Sequence, residues 1–263
     1  MSRTVLVTGT SSGIGRATAE LLATRGYRVF GTSRKPGGAE IPGVETLPLD
    51  LADPDSVETL AGTLATVDVL VNNAGESQSA PFEEVPGDWL RRLFETNVFG
   101  PVRLAQLALP GMRERGYGRI VMVGSMQTSF PVAYRSAYTA SKAAITAFSN
   151  AARHEFSPFG VWLTTVDPGS IATGITERRT IHIAPDSPHR RDFDTMLAAL
   201  NRDERAGTPP SRVATTILKA IESDRPHPRY AIGSRAPFLF TVRWLTPATL
   251  MEKIIHRRYN LNR

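Results

Sequence analysis

Tyr138-Thr139-Ala140-Ser141-Lys142 sets a phenol and an ammonium four residues apart, on one face of a helix if the segment is helical. An ammonium near a phenol favours the phenolate and lowers the tyrosine pKa. A tyrosine tuned in this way can serve as acid or base near neutral pH. Taken alone, Tyr-x-x-x-Lys more often marks a surface pair. Thirteen positions before Tyr138, Ser125 ends an apolar run, where its hydroxyl can donate to a substrate oxygen or cap a turn. Asn97 falls in a helical stretch, where asparagine is not favoured. That fits either a special role or plain exposure.

A second group suits an anion. In Thr8-Gly9-Thr10-Ser11-Ser12-Gly13-Ile14-Gly15 an apolar run turns into a helical pattern. Glycines there let the backbone turn sharply and approach a pyrophosphate, and a helix N-terminus supplies free N–H groups. The spacing is G-x-x-x-G-x-G rather than G-x-G-x-x-G, and a tight turn without ligand is the plain alternative. Gly31-Thr32-Ser33-Arg34-Lys35 ends the next apolar run. A nicotinamide dinucleotide without a 2′-phosphate usually meets an acid at such a place, whereas Arg34 is suited to pair with a 2′-phosphate. The alternative is a solvated basic turn. Asp50-Leu51 and Asn72-Asn73-Ala74-Gly75 follow two further apolar runs, at strand ends where open α/β sheets bind ligands. Asp50 is able to accept from an adenine amino group or to cap a helix, and turn chemistry alone is the plain alternative for the asparagines.

These residues need elements to position them. Residues 4–8, 27–32, 44–49, 67–71, 119–124 and 161–166 read as strands. Residues 14–25 read as a helix stopped by Gly26, 52–64 as a helix, and 137–157 as another. A long helix is expected over 89–115, with Pro101 and Pro110 as kinks or breaks. From 171 to about 207 charges and prolines show no clear period, as in a lid or binding loop. Residues 211–222 look helical, 229–233 form a last strand, and 247–258 a terminal helix. Alternating helices and continuous apolar strands predict a parallel sheet covered on both faces. With neither a repeat nor a Pro/Gly linker, 1–263 is expected to be a single domain.

In this order the motifs resemble the short-chain dehydrogenase/reductase family. TGTSSGIG resembles its cofactor motif and NNAG its fourth-strand motif. Asn97, Ser125, Tyr138 and Lys142 match its catalytic tetrad in order and spacing, and Asp167-Pro168-Gly169-Ser170-Ile171-Ala172-Thr173 is similar to the segment that closes over the nicotinamide. The resemblance is close over about 3–175 and looser beyond. It implies one doubly wound Rossmann-type α/β domain around a seven-stranded parallel sheet, and hydride transfer between a nicotinamide and a carbonyl/alcohol pair. It implies Tyr138 as acid/base, Lys142 on the ribose and tuning Tyr138, Ser125 orienting the carbonyl, and Asn97 holding a water in a proton relay. The implied cofactor contacts are Gly9, Ser11, Ser12, Gly13, Ile14, Gly15, Arg34, Asp50, Leu51, Asn73, Ala74, Gly75, Tyr138, Lys142, Pro168, Gly169, Ile171 and Thr173. Arg34 without a preceding acid implies NADP(H) over NAD(H).

Composition bounds the rest. The chain has 263 residues and no cysteine, which excludes disulfides, thiolate metal sites and a cysteine nucleophile. No metal site is expected, and a reducing, cytoplasmic setting is. The formal net charge of +6 has no aromatic-interleaved basic stripe beside it, so no nucleic-acid partner is expected. The apolar run 236–242 stops at Arg243, too short to span a bilayer. The chain lacks the V-D-G-G-like ending of 3-oxoacyl reductases in this family. SDRPHPRYAIGSRAPFLF looks more like the hydroxysteroid and retinol dehydrogenase branch, which handles bulky apolar substrates. The tail over 234–263, with Pro237, Phe238, Leu239, Phe240, Trp244 and Leu245, can roof a pocket, pack internally, meet a second copy or rest on a membrane near His256-Arg257-Arg258. The expected activity is NADPH-dependent reduction of a steroid-, retinoid- or lipid-like ketone or aldehyde by a homodimer, a tetramer being less expected. The alternatives are a 3-oxoacyl-type reductase, a non-catalytic NADP-binding sensor on the same fold, and another Rossmann-like enzyme such as a methyltransferase.

Overall fold

Seven strands form one parallel sheet in the computed structural model, which describes residues 2–35, 37 and 40–261. In chain order the elements are β1 (Thr4–Val7), α1 (Gly13–Thr24), β2 (Arg28–Ser33), β3 (Val44–Pro48), α2 (Pro54–Glu58), α3 (Ala61–Thr66), β4 (Val69–Asn72), β5 (Gln78–Ser79), α4 (Gly87–Phe94), α5 (Gly100–Glu114), β6 (Gly118–Val123), α6 (Ser136–Phe156), β7 (Val161–Pro168), α7 (Ile175–Arg178), β8 (Thr180–Ile181), α8 (Arg190–Arg205), α9 (Pro210–Glu222), β9 (Arg229–Ile232), α10 (Ala236–Leu245) and α11 (Ala248–Arg258). The sheet order is β3-β2-β1-β4-β6-β7-β9, and β5 pairs with β8 as a separate parallel ribbon. The order reverses between β1 and β4, which opens a crevice at their carboxyl ends.

The central strands are apolar throughout because both faces are covered. Successive side chains of a strand point to opposite faces. Leu6, Leu70, Ile120 and Met122 join one core with Leu64, Leu104 and Met112. Val5, Val7, Val69, Val71, Val121 and Val123 join another with Leu22, Ile217 and Ile221. Every residue of β4 and β6 is buried, while the edge strand β3 is largely exposed.

Four segments differ from the sequence reading. The helix expected over 52–64 is two short pieces, α2 and α3. The helix expected over 89–115 contains a π-helical turn at Glu95–Phe99, between α4 and α5. There the Gly100 N–H reaches back to the Glu95 carbonyl, and Pro101 has no N–H to continue the regular ladder. Pro110 sits inside α5 without ending it. The aperiodic region 171–207 holds the sixteen-residue α8, whose buried face is Phe193, Met196, Ala199, Leu200 and Glu204. Phe193, Met196 and Leu200 pack with Val132 in a third apolar cluster. The tail adds α10 to the expected terminal helix. The side chain of Pro237, and Arg263, lie outside the described residues.

Candidate active site

Helix α6 brings Tyr138 and Lys142 to one buried face, and the end of β6 brings Ser125 against them. The Ser125 hydroxyl caps a short 3-10 turn by accepting from the Gln127 N–H at 3.2 Å, and Ser125 lines the same cavity as Tyr138. Burial raises the Tyr138 pKa above the ordinary phenol value. The charge that pulls hardest the other way is Arg135, and the Ser125 hydroxyl adds to it. The Arg135 guanidinium carbon lies 4.1 Å from the Tyr138 ring centroid. Arg135 is itself buried, donating to the Ser77 hydroxyl at 2.9 Å, to the Gln78 carbonyl, to the Ser79 hydroxyl at 3.3 Å and to Gln127 Oε1 at 3.2 Å.

Lys142 points elsewhere. Its Nζ donates to the Val123 carbonyl at 2.9 Å. Burial pulls its pKa down to about 8, opposed by the charge of Asp167. Asp167 in turn has Arg229 Nε 2.5 Å from Oδ2. The cation that acts first on Tyr138 is therefore Arg135, where the sequence pointed to Lys142.

Asn97 lies in the π-turn and is only 1% exposed, so the exposed alternative falls. Its Oδ1 accepts from the Glu76 N–H at 2.8 Å, and its Nδ2 donates to the Glu76 carbonyl at 3.0 Å and to Ser141 Oγ at 3.0 Å. Ser141 Oγ donates to the Tyr138 carbonyl at 2.8 Å. Asn97 thus clamps the Gly75–Glu76 backbone to the helix that carries Tyr138.

A cavity of about 290 Å³ runs from Tyr138 and Lys142 across the crevice to Arg34 and Asp50. Every residue expected to contact a cofactor lines it except Gly15, and Asn97 stands behind the wall. Gly15 lies under the cradle: a Cβ there would come within 2.2 Å of the Gly9 carbonyl oxygen. Gly13 has φ +58, a left-handed conformation natural to glycine. The first turn of α1 carries no acid, and its N-cap Ser12 makes no side-chain capping bond. Those N–H groups and the positive helix end suit a phosphate. Thr8 Oγ1 accepts from the Asn73 and Ala74 N–H groups at 2.9 and 3.0 Å, which locks the Asn-Asn-Ala-Gly turn beside the cradle. Asp50 Oδ1 accepts from the Ala52 N–H at 3.0 Å in a turn ahead of α2, whose N-cap is Asp53, and the residue lines the cavity. Arg34 Nη1 stands 3.5 Å from Glu76 Oε1 at the far end. This wall fits a phosphorylated dinucleotide: a glycine cradle, an uncapped helix start and a basic far end.

Sequence reasoning missed Arg135, Gln127, Glu76 and Arg178 in this wall. Arg178 of α7 donates to Ser12 Oγ at 2.8 Å and to the Thr173 carbonyl at 3.0 Å, laying a cation over the glycine cradle. No local pattern marks it, because α7 reaches α1 across more than 160 residues. Arg135 did leave a signal. It is the N-cap residue of α6, where a cation opposes the helix dipole.

A second cavity of about 580 Å³ adjoins the first, sharing Ser125, Gln127, Pro168, Gly169 and Glu204. Its walls are largely apolar, from Met126, Phe130, Leu200, Phe238, Leu239, Val242, Met251 and Ile255. The region between them is tied down. Arg179 Nη2 holds both Glu204 carboxylate oxygens at 2.5 Å, and Glu84 accepts from the Ala184 N–H at 2.6 Å and from the Ser187 hydroxyl. Among the described residues no helix is long and apolar enough to cross a membrane.

Comparison with known proteins agrees with this geometry. Residues 3–183 match the short chain dehydrogenase family. The chain is 32% identical over 256 residues to a 3-ketodihydrosphingosine reductase of Bacteroides thetaiotaomicron, covering 94% of each. A crystal structure of a short-chain dehydrogenase from Streptomyces avermitilis superposes with TM-score 0.82 at 33% identity, covering 96% of this chain and 97% of that one. A short-chain dehydrogenase from Sphingobium yanoikuyae in complex with NADPH superposes with TM-score 0.71 at 26% identity, covering 92% and 91%. The chain belongs to the short-chain dehydrogenase/reductase family, and with it to the NAD(P)-dependent oxidoreductases that act on CH–OH groups.

Proposed function

We propose that the protein uses NADPH to reduce a fairly apolar ketone or aldehyde of steroid, retinoid or lipid type. Bound in the smaller cavity, a nicotinamide would supply the hydride for the carbonyl carbon. Tyr138 gives its phenolic proton to the carbonyl oxygen. Burial holds that proton on the tyrosine, which suits the reduction direction. Ser125 donates to the same oxygen and orients it. Lys142 holds the ribose hydroxyls, and Asn97 fixes the backbone around a relay water that returns the proton through Lys142. Arg34 takes the 2′-phosphate. The relative solved with NADPH supports the cofactor, and the likeness to a 3-ketodihydrosphingosine reductase supports a lipid-like substrate.

One observation carries the reading. Ser125 and Tyr138 line the smaller cavity together, and Ser125 is also shared with the apolar one. On this reading 1–263 acts as one domain, 171–207 as the substrate loop, and 234–263 as a pocket roof of the hydroxysteroid and retinol dehydrogenase kind. A cytoplasmic homodimer is the matching assembly. Phe99 and Phe148 are 52% and 49% exposed beside the two long helices through which the family is expected to pair.

The test follows NADPH absorbance across steroid ketones, retinal, aliphatic and aromatic aldehydes, 3-oxoacyl thioesters and quinones, with Tyr138→Phe alongside. Turnover of an apolar class should fall about 10²–10⁴-fold in the variant. Equal turnover by the variant, or tighter binding of NADH than NADPH, sinks the corresponding part of the proposal.

A further inference from the structure

Five of the large apolar side chains exposed on the surface fall in one short stretch: Phe238, Trp244, Leu245, Leu250 and Ile254. They sit on α10 and α11, which are joined through Thr246 and Pro247. Trp244 is 84% and Leu245 68% exposed, far more than isolated surface contacts require. The same stretch, 234–261, carries five Lys and Arg residues against a single acid, Glu252. It therefore contributes four of the chain's six net positive charges.

Leu250 and Ile254 lie one turn apart and share a face of α11. Phe238 and Ile254 are exposed and also line the apolar cavity, so the patch surrounds that cavity's mouth. At ten and eleven residues, α10 and α11 are too short to cross a bilayer. A tryptophan and leucines beside lysine and arginine are what an anionic lipid interface accepts. A second copy fits less well, because a two-fold contact would set the patch, with Arg243, Lys253 and Arg257, against an identical patch of the same charge.

We propose that the α10–α11 segment docks on an anionic lipid bilayer, with the apolar cavity opening toward the lipid. Trp244, Leu245 and Leu250 enter the interface, and Lys253 and Arg257 meet the headgroups. A lipid-like carbonyl then passes from the bilayer to Ser125 and Tyr138 without crossing water; this delivery role rests on the reductase reading, but docking itself does not.

Co-sedimentation with phosphatidylglycerol/phosphatidylcholine vesicles and with phosphatidylcholine vesicles tests it on the full chain. Two variants are needed, Trp244→Ser/Leu245→Ser and Lys253→Gln/Arg257→Gln, none of which lines either cavity. The wild-type chain should bind the anionic vesicles and release in high salt. At about fivefold per basic side chain, the charge variant should bind roughly thirtyfold more weakly. The Trp244/Leu245 variant should lose at least about tenfold. Both should keep the wild-type melting temperature, so that lost binding is not lost folding. Wild-type protein that stays in the supernatant overturns docking, as does an assembly in solution whose mass drops in the Trp244/Leu245 variant while vesicles go unbound. Vesicle binding without turnover of any carbonyl leaves docking standing and rejects the reductase reading instead.

Discussion

Replacing Lys142 with methionine should change how stability depends on pH. Burial lowers the Lys142 pKa to about 8, against 10.5 for a solvated lysine. The folded value lies below the unfolded one, so folding releases a proton between those two pH values. Stability from this group therefore rises as pH increases through that window. From about pH 7.5 to about pH 9.5 the unfolded lysine stays mostly charged while the folded one becomes neutral, and the linkage integral gives a gain of about 2 kcal/mol. Methionine keeps the length and loses the charge, so the variant should lack that gain. Arg229 still stands against Asp167 in the variant, which leaves that carboxylate a cation. Urea unfolding of wild type and Lys142→Met at the two pH values, without nucleotide, reads the difference directly, since groups common to both cancel. Identical pH dependence in the two proteins would refute the claim that burial, opposed by Asp167, governs Lys142.

Two further outcomes follow from the geometry. Arg135→Gln removes the cation over the Tyr138 ring, which favours the phenolate, so the alkaline limb of the kcat/KM profile for reduction should move up. Arg135→Lys should restore part of the shift, and an unmoved profile in Arg135→Gln denies the arginine that role. Gly15→Ala forces a methyl to within 2.2 Å of the Gly9 carbonyl, a backbone atom that cannot swing aside. NADPH binding measured by calorimetry should weaken at least about tenfold, with a lower melting temperature as the start of α1 shifts.

The strands were legible because a parallel sheet covered on both faces needs apolar residues at every position, and Val69–Asn72 and Gly118–Val123 supply buried side chains throughout. The cofactor wall was legible because its residues sit at the ends of those strands, where topology alone puts the crevice. Helix α8 was not. Its buried Phe193, Met196, Leu200 and Glu204 keep a helical period, but a charged face around them hides it. Helix α10 failed for the opposite reason, since Phe238, Leu239, Phe240, Val242, Trp244 and Leu245 leave no polar face to define a period. Pro101 announced a break, yet not that the break would be a π-turn burying Asn97 against Glu76 and Ser141.

Arg135 is the most instructive case. Local rules disfavour a cation at the start of α6. The structure holds it there through Ser77, Gln78 and Ser79, more than fifty residues upstream, and through Gln127. A residue kept against its local preference by several distant partners marks a place where the fold serves something beyond its own stability. Here that place is the ring of Tyr138. The conflict was readable from the sequence as an anomaly. Its resolution was not, because the partners meet only when β5 is brought beside α6.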